Sequence, residues 1–204
     1  MQAEERAWEL LAELDPRDVC ARALPVFDPS AGAYVVSVFG MPVAVAPGQR
    51  TISGSCPDGD LILKKMAYFS RLSILHYLIG AQALPPAGQL VRPADLKSGA
   101  LYSAGSHVLP LDALAARYAR DAEGFLAQGI RFGGERRAYG DAAAELRPFP
   151  RLPVTLVLWR EDDEFAARAD LLFDATCERH VPPDILWSIA LLSVEVMRQA
   201  STGK

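Results

Sequence analysis

The chain has 204 residues, of which 50% are hydrophobic and 23% charged, a composition that fits a folded globular protein and excludes disordered and collagen-like chains. Its 21 Lys and Arg against 25 Asp and Glu leave a formal charge of −4, which argues against a partner held by phosphate neutralisation, so no nucleic acid is expected. The 3 cysteines are scattered and form no C-x-x-C pair, as suits reduced thiols in a cytoplasmic setting and not a disulfide framework.

Met1 to Arg6 is charged and lacks the apolar core of a secretory signal. The charge-free stretches Pro29 to Gln49 and Leu72 to Val91 are interrupted by prolines, so no membrane span is expected either. At roughly 150 residues per domain, the expectation is a single globular domain over residues 1–204.

Taken in chain order, residues 2–14 form an amphipathic helix with Trp8 and Leu11 inward, stopped by Asp15-Pro16. Tyr34 to Phe39 and Met41 to Val45 are β-branched and aromatic runs around Gly40, predicting two strands of one hairpin. Thr51 to Asp60 is loop-like. Residues 61–82 are predicted as a helix. Tyr68, Leu72, Leu75 and Ile79 share one face while Ile74 and Leu78 cover others, so the helix is apolar nearly all round and therefore central. Leu84 to Gly99 connects it to a short strand at Ala100 to Tyr102. A helical stripe then runs from Leu111 through Leu114, Ala115, Tyr118, Ala122 and Phe125, with Gly129 as its expected cap. Strands are predicted at Glu145–Phe149, Pro153–Trp159 and Ala169–Phe173, the last two antiparallel across an acidic turn, and Pro182-Pro183-Asp184 opens a final helix. Strands that come in adjacent pairs between helices point to an α+β fold, with one antiparallel sheet, a central buried helix and two or three further helices.

The most unusual local string is Trp159-Arg160-Glu161-Asp162-Asp163-Glu164-Phe165. Four consecutive carboxylates suit a solvated hairpin tip that blocks edge aggregation. They also suit a site in which one or two turn inward to bind a cation or to work as an acid or base. The string lacks the alternating acids and central Gly of a calcium loop. His76 projects between Leu72 and Phe69 in an apolar arc, as a core histidine would, or as a ligand or proton-transfer group beside a pocket. His76, His107 and His180 show no metal-site spacing, Cys56 lies in a loop, and Ser53, Ser55 and Ser106 lack a nucleophile-elbow setting. Arg131, Arg136 and Arg137 make a basic loop best read as a solvated one.

The strings Phe69-x-Arg71-Leu72-x-Ile74-Leu75-His76-Tyr77-Leu78, Gly129 to Gly134, Pro150-x-x-Pro153-Val154, Trp159-x-x-Asp162-Asp163-Glu164-Phe165 and Leu171-Leu172-Phe173-Asp174 resemble the prokaryotic domain-of-unknown-function 3786 family over about residues 15–200. The resemblance implies an origin in anaerobic bacteria or archaea and supplies no established activity. Some members of that family carry a cysteine-rich iron–sulfur segment at the N-terminus, which this chain does not match, since Met1 to Ala33 hold one cysteine. It singles out His76, Trp159, Asp162, Asp163, Glu164 and Phe165 as ligand-binding candidates.

Three readings follow. The preferred one is an accessory protein that binds a small ligand or metallocofactor, in a pocket between the His76 helix and the sheet with Trp159 as wall and Asp163 and Glu164 as anchors. The second is a small hydrolase or lyase that pairs an acidic-turn carboxylate with His76. The third is a non-catalytic structural or interaction protein. The residues leave the cofactor, the metal dependence and the oligomeric state open.

Overall fold

The computed structural model describes residues 2–54, 56–65, 67–102 and 108–199. Two helices open the chain, α1 (Gln2–Glu13) and α2 (Pro16–Ala23). Asp15-Pro16, expected only to stop a helix, also starts one. The Asp15 carboxylate accepts the Arg17 N–H at 2.8 Å, and Pro16 stands in the first turn, where its missing N–H costs nothing.

The α+β class holds, and the strands form two antiparallel sheets instead of one. The first is a meander of β1 (Val26–Asp28), β2 (Ala33–Val38), β3 (Met41–Ala46) and β4 (Thr51–Gly54). The predicted hairpin is its centre, with Val36 opposite Val43. The stretch predicted as a loop from Thr51 to Asp60 is β4 followed by the start of α3 (Pro57–Lys65). The predicted helix over 61–82 is divided between α3 and α4 (Ala67–Gly80), and residue 66 lies outside the described residues.

The second sheet contains β5 (Leu90–Val91), β6 (Glu135–Arg137), β7 (Ala142–Phe149), β8 (Leu152–Trp159) and β9 (Arg168–Asp174), in the order β5-β9-β8-β7-β6. Between β5 and β6 lie α5 (Leu111–Arg117) and α6 (Ala122–Arg131), and α7 (Pro183–Arg198) closes the chain. Ala100 to Tyr102, expected as a strand, belong to a 3₁₀ turn. The Phe39 amide at the tip of the first hairpin donates to the Arg147 carbonyl of β7 at 3.0 Å and ties the two sheets together. Buried side chains from both sheets and from all seven of these helices form one hydrophobic cluster.

The predicted central helix is central. Leu72, Ile74, Leu75, Tyr77 and Leu78 are all buried, on faces that meet α1, α2 and α7. Its last carbonyls, Ile79 and Ala81, accept from the Arg22 guanidinium at 3.2 and 2.7 Å. The Tyr77 hydroxyl donates to the Ala23 carbonyl and accepts the Arg151 N–H, both at 3.1 Å, and its ring stacks on Phe149 at 4.4 Å.

The stripe predicted over 111–125 is interrupted at residues 118–121, where Asp121 caps a new helix by accepting the Gly124 N–H at 2.8 Å. Gly129 is no terminal cap. It is buried inside α6, and a Cβ there would lie 2.7 Å from the Ala144 Cβ of β7. The glycine therefore lets α6 lie close on the sheet. Gly129→Ala is expected to destabilise the fold by about 1–3 kcal/mol through overpacking, although alanine is the better helix former by ~1 kcal/mol. Urea denaturation of Gly129→Ala and of the double variant with Ala144→Gly checks this, since the second change should restore much of the loss.

Candidate functional site

The site grows out of the β8–β9 hairpin. Side chains alternate along a strand, and here Ala169, Leu171 and Phe173 enter the hydrophobic core while Arg168, Asp170 and Leu172 take the other face. The pairing sets Trp159 opposite Arg168, Val157 opposite Asp170 and Thr155 opposite Leu172. On the far side of β9, β5 pairs only with Phe173 and Asp174. Among the described residues no second strand borders Arg168 to Leu172 on that side, and a groove of about 860 Å³ opens over this part of β8 and β9. Its floor is Val157 and Leu172, and the exposed Val108, Tyr139 and Trp159 form its rim.

The polar groups of the groove gather at one place. The Trp159 indole N–H donates to Asp170 Oδ2 at 2.8 Å, and an Arg168 guanidinium nitrogen lies 3.4 Å from the same oxygen. The guanidinium carbon sits 5.1 Å from the centre of the Trp159 ring, a cation–π arrangement. Gly140, with φ +55°, lets the β6–β7 turn lie flat beside the indole. A Cβ there would come within 2.6 Å of Val157 Cγ1 and 3.5 Å of Trp159 Cδ2. The Arg160 N–H donates to Asp141 at 2.8 Å and fixes that turn against the end of β8.

Of the residues singled out by sequence, Trp159 is in the groove. Asp162 organises the acidic turn, accepting the N–H groups of Glu164 at 2.9 Å and Phe165 at 2.7 Å, and these bonds hold its carboxyl below the ordinary range. Glu161 pairs with Arg120. Asp163 and Glu164 are exposed and line no part of the groove. Phe165 is 69% exposed and, with Asp162, borders a smaller hollow of about 340 Å³ that Trp159 also lines.

His76 is half-buried on α4. Burial lowers its pKa, and Asp184 at the start of α7 offsets part of that. The acidic turn instead lies near the other end of α7. Glu161 N–H donates to the Ala119 carbonyl, and next to it Arg117 and Tyr118 donate to the carbonyls of Gln199 and Met197. The 16 residues of α7 span about 24 Å, so His76 and the acidic turn are not brought together. His107, Ser55 and Ser106 lie outside the described residues. Cys20 and Cys56 are partly buried and Cys177 is buried, on separate elements. Among the described residues no three His, Cys, Asp or Glu gather where they could hold a metal ion.

The sequence reading missed Arg168 and Asp170, although period-two alternation in Arg168-Ala169-Asp170-Leu171-Leu172 was there to place them beside Trp159. It also gave no weight to two buried groups after β9. Burial raises the Asp174 pKa, but bonds from Thr176 Oγ1 at 2.7 Å and from the N–H groups of Thr176, Ala87 and Gly88 outweigh it and leave the carboxyl low. His180 is 1% exposed, its Nδ1 accepts the Gln82 N–H at 3.3 Å, and its Nε2 has no partner among the described residues. Together Asp174 and His180 pin both ends of the connection from Gln82 to Gly88.

The fold and groove define an α+β protein with an open, largely apolar site on the edge of its larger sheet. Residues 15–195 match the model of the family described as domain of unknown function (DUF3786), and the chain belongs to that family. No curated protein and no solved structure matches it. No helix among the described residues is long and apolar enough to cross a membrane.

The two described histidines set a pH dependence of stability. Burial depresses both imidazoles below the ordinary value of about 6.5. For His180 the neighbouring Arg151 and Arg179 add to this and Asp174 opposes it. The unfolded chain thus binds protons that the fold refuses, so stability is full above about pH 6.5 and falls as the pH drops below it. Thermal melts between pH 8 and pH 5 should show this loss before the carboxylates titrate, and His180→Gln should flatten it. A melting temperature unchanged over that range would contradict the assignment.

Proposed function

We propose that this chain is a non-catalytic binding protein that holds a small organic molecule in the groove beside Trp159. The observation that carries this reading is the groove itself. Its volume of about 860 Å³ falls within the range of small-molecule sites, and it has the expected mix of an apolar floor and a few gathered polar groups. Binding fits better than turnover, because the groups at the polar end, Trp159, Arg168 and Asp170, bond to one another and offer no nucleophile paired with a base. An organic ligand fits better than a metal centre, because Asp170 is the single carboxylate among the described lining residues and no histidine or cysteine accompanies it. The reading keeps an accessory role for the protein and moves the pocket from the His76 helix to the β8–β9 hairpin.

The neutral fluorophore N-phenyl-1-naphthylamine tests the groove. Its emission should rise saturably with protein, with energy transfer from tryptophan that weakens in Trp159→Phe. Leu172→Glu, which sets a charge on the floor, should weaken binding roughly tenfold or more, on the scale of an apolar contact replaced by a desolvated charge. His76→Ala, at the far end of α7, should bind like the parent. An absence of saturable binding, or an unchanged affinity in Leu172→Glu with the fold intact by circular dichroism, would refute the reading.

A further inference from the structure

Resting on the groove as a small-molecule site, the chemistry of its walls narrows the ligand: we propose that it is an amphipathic anion, with an apolar body along the β9 edge and a carboxylate, sulfonate or phosphate group on Arg168. The described lining residues carry two cations, Arg92 and Arg168, and one anion, Asp170. Arg92 is already committed. Its Nε and Nη2 donate to the two oxygens of Asp95 at 2.8 and 3.1 Å, a bidentate pair that uses the planar edge of the guanidinium.

Arg168 is different. A guanidinium carries five N–H donors, and among the described residues the one polar contact of the Arg168 side chain is the 3.4 Å approach to Asp170 Oδ2, too long for a strong hydrogen bond. That oxygen is shared with the Trp159 indole N–H, which approaches closer, at 2.8 Å. Arg168 is nevertheless not a loose surface residue. Its charge lies over the indole ring, and Asp170 lies against one of its nitrogens, so the remaining donors are held at the polar end of the groove while the side chain stays 63% exposed. Most of the hydrogen-bonding capacity left over there is the spare donors of Arg168, beside the second oxygen of Asp170, and the wall around them includes the aliphatic Val157, Leu172 and Val108. A ligand that complements both halves is apolar for most of its length and anionic at one end.

A pair of probes that differ only in charge separates this inference from the reading beneath it. 8-Anilinonaphthalene-1-sulfonate is N-phenyl-1-naphthylamine with a sulfonate added. The sulfonate should bind roughly ten- to a hundredfold more tightly than the neutral compound, the range of a hydrogen-bonded charge pair. Arg168→Gln should remove that advantage, so that the two probes bind alike. Equal binding of the two probes by the parent protein overturns the anion and leaves the groove standing. An advantage that survives Arg168→Gln overturns it too, because the charge is then read elsewhere. If neither probe binds saturably, the groove reading falls and the anion with it. Near-ultraviolet circular dichroism of each variant keeps probe binding to a loosened core from being mistaken for the site.

Discussion

Burying most of α4 obliges the protein to satisfy the carbonyls at its C-terminal end with side chains. Arg22 does this from α2, and the solution propagates. Its guanidinium takes the Ile79 and Ala81 carbonyls, its own carbonyl accepts Arg151 Nε at 2.6 Å, and the Arg151 N–H goes to the hydroxyl of Tyr77. Thus the end of one helix, the length of another and the β7–β8 turn are joined by charged or aromatic side chains that each satisfy backbone groups. A positive charge at a helix C-terminus is favourable in itself. Here it also fixes where α2 crosses α4, and hence where the first sheet begins.

The same economy governs the segment that leaves this end of α4. This connection contains Pro85 and Pro86 and has few backbone hydrogen bonds of its own, so it needs external anchors. His180 holds its beginning and Asp174 its end, with four hydrogen bonds converging on one buried carboxylate. Bonds to a charged acceptor contribute about 1.5–3 kcal/mol each, enough together to outweigh the cost of burying it. Held there, Gly88 sets the start of β5, whose Leu90 and Val91 reach only the last two residues of β9. The strand ends where the chain enters the 3₁₀ turn at Pro93, a residue with no N–H for the ladder, and the edge beside the groove begins there.

Periodicity made the long elements legible. α1, the β2–β3 hairpin, β8, β9 and α7 follow from residue spacing, because each buries one face or all faces of a regular element. What escaped was set by pairings that composition and spacing do not display. β1, β4 and β5 are two to four residues long and exist because a neighbouring strand pairs with them. Asp15-Pro16 has the composition of a stop, and only the Arg17 N–H bonded to Asp15 shows the start it also makes. Gly129 was read as a terminus because nothing local reveals that Ala144 lies against it. At the site, Trp159 was legible as an unusual residue in an unusual string. The acidic residues beside it drew attention by their number, whereas Arg168 and Asp170 look ordinary until the hairpin sets them across from Trp159 and Val157.

That pairing gives β9 two duties whose precision is shared. A slip of one residue against β8 would drive Arg168 and Asp170 into the core and bring Ala169, Leu171 and Phe173 to the surface, so the apolar face cannot be kept while the groove is lost. The core therefore enforces the position of the Trp159, Arg168 and Asp170 cluster without spending hydrogen bonds of the site on it. The open edge is the complementary half of this arrangement. A strand edge without a neighbouring strand invites association, and the chain limits that risk with charge at one end, where Arg168 and the acidic turn stand, with β5 at the other, and with α5 packed against β9. Between those guards the accessible surface is short, apolar and flanked by aromatic rings, dimensions that admit a small molecule more readily than another sheet.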